Sequence, residues 1–144
     1  MLQGESLLGA HSAVIDRISF DSRRFVDGSN TAFFALKGEF RDGHDFLEVA
    51  YDKGVRIFVV SDTVDVSSYP HAHFVRVRNT LEALQDLSAY HRSRFSYPII
   101  AITGSAGKTT VKEWIYHLLS PELRIIRSPK SYNSQLGVAL SLLE

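Results

Sequence analysis

The sequence predicts an α/β fold in two parts: an α/β domain over residues 1–97, then the first β-α-β unit of a parallel-sheet domain from residue 98 to 144. Three observations carry this expectation. Short apolar runs alternate with helical patterns from residue 13 to about residue 93. A polar stretch, Arg92 to Tyr97, separates them from a fresh apolar run. That run leads directly into "TGSAGKTT" (103–110) and an amphipathic helix.

In the first part, "AVIDRISF" (13–20) and "TAFFAL" (31–36) read as strands, and Asp27, Gly28, Ser29 and Asn30 supply turn chemistry between them. From an Asp45 cap, Phe46, Leu47, Ala50 and Tyr51 share one helical face, and Gly54 ends that helix. "VRIFVV" (55–60) reads as a buried strand and "HFVRV" (73–77) as another. Asn79 followed by Glu82 resembles a capping box for a helix whose inner stripe is Leu81, Leu84 and Leu87. "HAH" (71–73) has the spacing of a chelate, but no cysteine or acidic cluster accompanies it and period two suits a strand entry. No repeat or low-complexity tract interrupts the alternation.

In the second part, "IIAIT" (99–103) reads as an apolar strand, and Val111, Trp114, Ile115, Leu118 and Leu119 as the core stripe of a helix. Pro121 stops the helix, and "LRIIR" (123–127) supplies the next strand. A right-handed crossover of this kind puts its strand-to-helix loop at the carboxyl edge of the sheet, where ligands bind. Gly104 and Gly107 allow positive φ and leave room for phosphate oxygens, so the amides of Gly104, Ser105, Ala106, Gly107 and Lys108 can face an anion together with the helix start. In that pattern Lys108 reaches the β and γ phosphates and the Thr109 hydroxyl binds Mg²⁺, with Thr110 beside it. The common pattern has glycine at 102, where this chain has Ile102. A plain tight turn is the competing reading; the buried strand before the loop and the Lys-Thr-Thr run after it favour phosphate.

Composition narrows the function. With 44% hydrophobic and 22% charged residues the chain has material for a core. Sixteen basic residues balance sixteen acidic ones, so no global field draws nucleic acid or an anionic membrane, and an anion site must be local. Cysteine is absent, which excludes thiolate and disulfide chemistry and fits a reducing compartment. The first residues lack a signal-peptide pattern, and no apolar run approaches the ~20 residues of a membrane span. The cytoplasm is the expected location. There is no G-x-S-x-G elbow and no His-containing metalloprotease motif, so hydrolase readings have no foothold.

"TGSAGKTT" followed by "VKE" resembles the ATP loop of the Mur ligases, which share the shortened glycine spacing. Residues 21–55, "DSRRFVDGSNTAFFALKGEFRDGHDFLEVAYDKGV", are similar to the amino-terminal domain of the family members that add later residues of the peptidoglycan stem peptide. The two motifs stand in the family's order and the resemblance runs from residue 13 to residue 144. It implies a UDP-muramoyl-peptide-binding domain followed by the start of a P-loop ATPase domain. It also implies an ATP- and Mg²⁺-dependent, amide-forming reaction through an acyl phosphate, with UDP-N-acetylmuramoyl-tripeptide and D-alanyl-D-alanine as substrates.

The resemblance gives Lys108 the catalytic role, the 104–110 loop the nucleotide and Thr109 the metal. It assigns Phe20, Ser22, Arg23, Glu39, Phe40, Arg41 and Asn133 to the UDP-linked substrate. For the side chains in "DSR" and "DGH" alternatives stay open: Asp21 can pair with Arg23, Asp42 and Gly43 make a turn, and His44 can cap the next helix. Gln135 departs from the acidic residue of many relatives. Some relatives are fused to an alanine racemase, which nothing in these residues shows. The 144-residue chain by itself is expected to bind the UDP-linked substrate and not to ligate. A P-loop kinase or GTPase would share residues 98–127 and leave "DSR" and "DGH" without a reason.

Overall fold

The structure is a computed structural model that describes residues 5–6, 14–23, 27–129, 132 and 134–143. It divides into two compact units, residues 1–84 and 85–144.

The first unit is built on a five-stranded sheet of β1 (Glu5–Ser6), β2 (Arg17–Ser19), β3 (Thr31–Phe34), β4 (Ile57–Val60) and β5 (His73–Arg76), in spatial order β1-β5-β4-β3-β2. β2 to β5 pair in parallel, and β1 closes the β5 edge antiparallel. Every residue of β3 is buried, as expected for a parallel strand covered on both faces. Register aligns Phe33 with Phe58 and Phe58 with Phe74. All three rings are fully buried, and Leu47, Ala50, Val55 and Val60 join them in one cluster. Phe58 stacks on Phe74 with centroids 4.9 Å apart and meets Phe33 edge-on at 6.2 Å.

Between β3 and β4 the chain makes a 3-10 turn, Gly43–Phe46, which runs into α1 (Leu47–Asp52). The cap is Asp42 and not the expected Asp45: the Asp42 carboxylate accepts the His44 amide at 2.9 Å, and the helical conformation starts three residues early. Gly54, at φ +93°, ends α1 as expected. Its amide bonds to Tyr51 O at 2.9 Å and that of Val55 to Ala50 O at 3.1 Å, the pairing of a Schellman motif. α2 (Thr80–Ser93) is capped by Asn79, whose Oδ1 accepts the amides of Leu81 and Glu82. Its buried stripe is Thr80, Ala83, Leu84 and Ser88, rotated from the expected leucine stripe; Leu87 is half-buried and Thr80 donates to Ala35 O at 3.0 Å.

The second unit holds the end of α2, α3 (Lys108–Leu119) and α4 (Gln135–Ser141). Ser88 Oγ donates to Ala139 O at 2.9 Å in a buried contact between α2 and α4. Gly137 is fixed by close approach, since a Cβ there would lie 2.9 Å from Tyr132 Cβ.

Two expectations fail here. Neither 99–103 nor 123–127 pairs in a sheet, and Trp114, with the stripe expected to be core, stays outside: Trp114 is 65% and Leu118 76% exposed. The reason is cover. Parallel strands are stable only with neighbours and with both faces packed, and among the described residues the second unit has no third strand. α3 instead turns its polar side to the following segment, where Arg127 pairs with Glu113 and lies 3.9 Å over the Tyr116 ring, and Lys112 donates to Ser128 O at 2.8 Å.

Because Phe58 is the middle ring of the aromatic row, Phe58→Ala is expected to lower the unfolding free energy by about 3–5 kcal/mol, read by denaturant titration of the first unit's circular dichroism.

Candidate functional site

Parallel strands that are neighbours send their carboxyl-terminal loops to the same edge. β2 is followed by Phe20–Arg23, β3 by the 35–42 connection and β4 by Ser61 and Asp62, so these three loops share one edge of the first unit. Of the residues expected to meet a UDP-linked substrate, all but Asn133 lie in the first two.

In the β2 loop, Asp21 binds Arg23 through both carboxylate oxygens at 2.9 Å and also accepts the Arg23 amide at 3.1 Å. The local pairing left open for these residues is the one that forms, and the Arg23 side chain is 73% exposed. Ser22 is buried, and its carbonyl accepts Lys53 Nζ at 2.7 Å. Lys53 also gives its own carbonyl to Gly28 N at 2.6 Å, so the end of α1 holds the segment on both sides of 24–26. Gly28 must be glycine, because a Cβ would lie 2.5 Å from a Val55 methyl group. Phe20 is half-buried.

The β3 loop makes a tight turn. Gly38 N donates to Arg41 O at 2.8 Å, and Lys37 and Asp42 pair as an isolated antiparallel bridge. Glu39, Phe40 and Arg41 form the exposed tip; Phe40 is 90% exposed. At the base stands a group that sequence reading weighed only as a helix cap. His44 Nδ1 lies 2.5 Å from Asp42 Oδ1, while His44 Nε2 accepts the backbone amides of Ser61 at 3.0 Å and Asp62 at 3.3 Å. Two N–H donors aimed at Nε2 place the ring proton on Nδ1, where it is donated to Asp42. Lys37 Nζ bonds Asp62 at 2.7 Å and lies 3.8 Å from Asp42.

Gly43 permits this close geometry: a Cβ would fall 2.6 Å from Leu36 N and 2.8 Å from the Ala35 backbone. Lys37, Lys53 and Asp62 carried no motif in the sequence; their partners lie up to 31 residues away. Asp42, His44 and Asp62 place one ligand atom each within 4.8 Å of one another. Both ring nitrogens are already engaged and the Lys37 ammonium supplies the cation, so the group is an ion-pair network.

The phosphate loop belongs to the second unit. Gly104 and Gly107 adopt φ +149° and +76°, values that favour glycine. Gly107 is the N-cap of α3, no side chain caps that terminus, and Ser105, Ala106, Thr109 and Thr110 around it are exposed. Lys108 folds back to bond Gly104 O, closing the loop on itself. An open helix start with two left-handed glycines and a lysine fits a polyphosphate, and the exposed Thr109 hydroxyl in the first turn fits a hydrated magnesium ion. Asn133 lies outside the described residues.

A parallel-sheet unit with its loops gathered at one edge, in a chain that also carries a glycine-rich helix start, defines an α/β protein in two parts. The chain belongs to the Mur ligase family: residues 14–92 match the Mur ligase family catalytic domain and residues 102–144 the Mur ligase middle domain. It is similar to the UDP-N-acetylmuramoyl-tripeptide–D-alanyl-D-alanine ligases of Synechocystis (40% identity over 90% of this chain and 28% of the relative) and Escherichia coli (34% over 99% and 30%). Among solved structures it resembles the corresponding ligase of Acinetobacter baumannii, with TM-score 0.81 and 37% identity over 90% of this chain and 28% of the other. The MurF ligase of Thermotoga maritima, solved in complex with ADP, aligns with TM-score 0.78 and 28% identity over 93% of this chain and 30% of the other. The chain thus spans under a third of the length of these relatives.

Burial acts to raise the Asp42 carboxyl, but hydrogen bonds from the His44 amide and ring, with the nearby Lys37 ammonium, hold it below its ordinary value of 3.8. The folded state therefore takes up this proton later than the unfolded state, and the contribution is present above that value and lost as pH falls through and below it. Denaturant melts from pH 5 downward are expected to show a shallower stability loss for Asp42→Asn than for the unsubstituted chain.

Proposed function

We propose that this chain carries the substrate-binding unit and the phosphate loop of an ATP-dependent ligase that joins D-alanyl-D-alanine to UDP-N-acetylmuramoyl-tripeptide in peptidoglycan precursor synthesis. The observation that carries the reading is the pairing of two sites in one chain: strand-end loops gathered at one sheet edge, and an uncapped helix start behind two left-handed glycines. The names of the relatives and the ADP held by one of them support the same reading. Residues 1–97 bind the UDP-muramoyl peptide and 98–144 begin the ATP-binding domain.

At the sheet edge, Ser22 and Phe20 meet the uridine diphosphate end of the substrate, the exposed Arg23 and Arg41 guanidinium groups its phosphates, and Glu39 and Phe40 line the tip of the pocket. At the loop, the backbone amides of residues 104–110 hold the ATP phosphates. Lys108 leaves Gly104 O to bind the transferred γ-phosphoryl group, where positioning and charge neutralisation lower the barrier. Thr109 would hold Mg²⁺ through its hydroxyl, and the ion would supply charge neutralisation to the phosphates. The phosphoryl group passes to the substrate carboxylate, and the amine of D-alanyl-D-alanine displaces phosphate from the acyl phosphate. All reactants are cytoplasmic in this reading.

The exposed apolar surface of α3 and the span of the chain relative to its relatives favour a narrower activity for the 144-residue chain alone: binding of the UDP-linked substrate without turnover. Titration calorimetry of this chain with UDP-N-acetylmuramoyl-tripeptide is expected to show binding that Lys108→Ala leaves unchanged. In a longer ligase carrying these residues, the same substitution is expected to cut kcat by about a hundredfold or more. No heat of binding, or a full coupling rate after Lys108→Ala, defeats the proposal.

A further inference from the structure

We propose that His44 is the positioning residue of the substrate edge, bolting the turn that presents Glu39, Phe40 and Arg41 to the backbone that follows β4. The inference rests on the substrate reading above. The turn is closed internally by the bond from Gly38 N to Arg41 O and the bridge between Lys37 and Asp42, and its tip is exposed. Its placement therefore depends on its base. Two arms leave that base, and both land just after β4: Lys37 reaches the Asp62 carboxylate, and Asp42 reaches the amides of Ser61 and Asp62 through His44.

The arms are unequal. The Lys37 and Asp62 side chains are 51% and 45% exposed, so water and salt screen their attraction. The His44 side chain is 10% exposed, and it satisfies two backbone donors that would otherwise lose their partner. The charged groups facing the ring are Asp42, Asp62 and, across them, Lys37. A turn already held in place loses less freedom when a ligand closes on it, so the tether acts on substrate affinity and leaves the phosphate loop untouched.

The test compares three variants of the 144-residue chain by amide hydrogen exchange without ligand and by calorimetric titration with UDP-N-acetylmuramoyl-tripeptide. His44→Phe removes both polar contacts. His44→Asn keeps an N–H near the Nδ1 position for Asp42 and loses the acceptor. His44→Gln keeps an acceptor near the Nε2 position and loses the N–H toward Asp42. Phe and Asn are expected to speed exchange at Ser61 and Asp62 and to weaken substrate binding about tenfold, whereas Gln is expected to stay within about threefold of the unsubstituted chain.

Exchange along α3 is expected to stay constant throughout, which a general loss of structure would not allow. Should Phe fail to fold, the contrast between Asn and Gln decides. Equal behaviour of Asn and Gln, or unchanged exchange at Ser61 and Asp62 in the Phe or Asn variant, overturns the positioning role even where substrate binds. Absence of binding by the unsubstituted chain overturns the substrate reading instead.

Discussion

The row of phenylalanine rings across β3, β4 and β5 is the constraint on which the first unit rests. Phe33, Phe58 and Phe74 occupy equivalent positions on adjacent parallel strands, and their contact fixes the register of all three. A shift of one residue would turn every ring to the opposite face. Register in turn decides where each strand ends, and the strand ends decide which loops meet. The β3 and β4 loops face each other through His44 and Lys37 because Phe34 and Val60 finish their strands at the same edge. The core thus sets the geometry of the edge that carries the loops.

The second unit follows a different logic. Its loop geometry is local: two glycines in conformations that side chains resist, a lysine reaching back four residues, and a helix whose first amides have no cap. None of these needs a finished sheet. The strands that flank such loops do need one, and 99–103 and 123–127 remain unpaired with Ile100 and Ile126 exposed. The phosphate loop and its sheet therefore draw on separate sources of stability: one on backbone conformation, the other on burial.

Much of the first unit was legible because its signals are short-range. "TAFFAL" and "VRIFVV" are too apolar and too short for anything but buried strands, and Gly54 and Asn79 end and begin helices by their own chemistry. The cap at Asp42 was missed because the 3-10 turn before α1 leaves no apolar period to read. Asp21 and Arg23 stand two apart, so their pairing could be named, although spacing alone could not choose it over a ligand contact. The partners of Lys53 and His44 lie 31 and 17 residues away and become visible only when the sheet brings them together. The Trp114 stripe reads correctly as amphipathic; periodicity says which face is apolar and nothing about whether a partner is present to cover it.

Trp114 has an optical consequence. It is the only tryptophan in the sequence and it sits on α3, in the second unit, while the buried rings of the first unit are phenylalanine and tyrosine. Indole emission from this chain therefore reports on the second unit, whereas near-ultraviolet dichroism collects the packed Phe58, Tyr69 and Phe74 rings of the first unit together with the aromatic rings of the second. Whether the melting curves of the two signals coincide distinguishes a single cooperative transition from two, with no label attached.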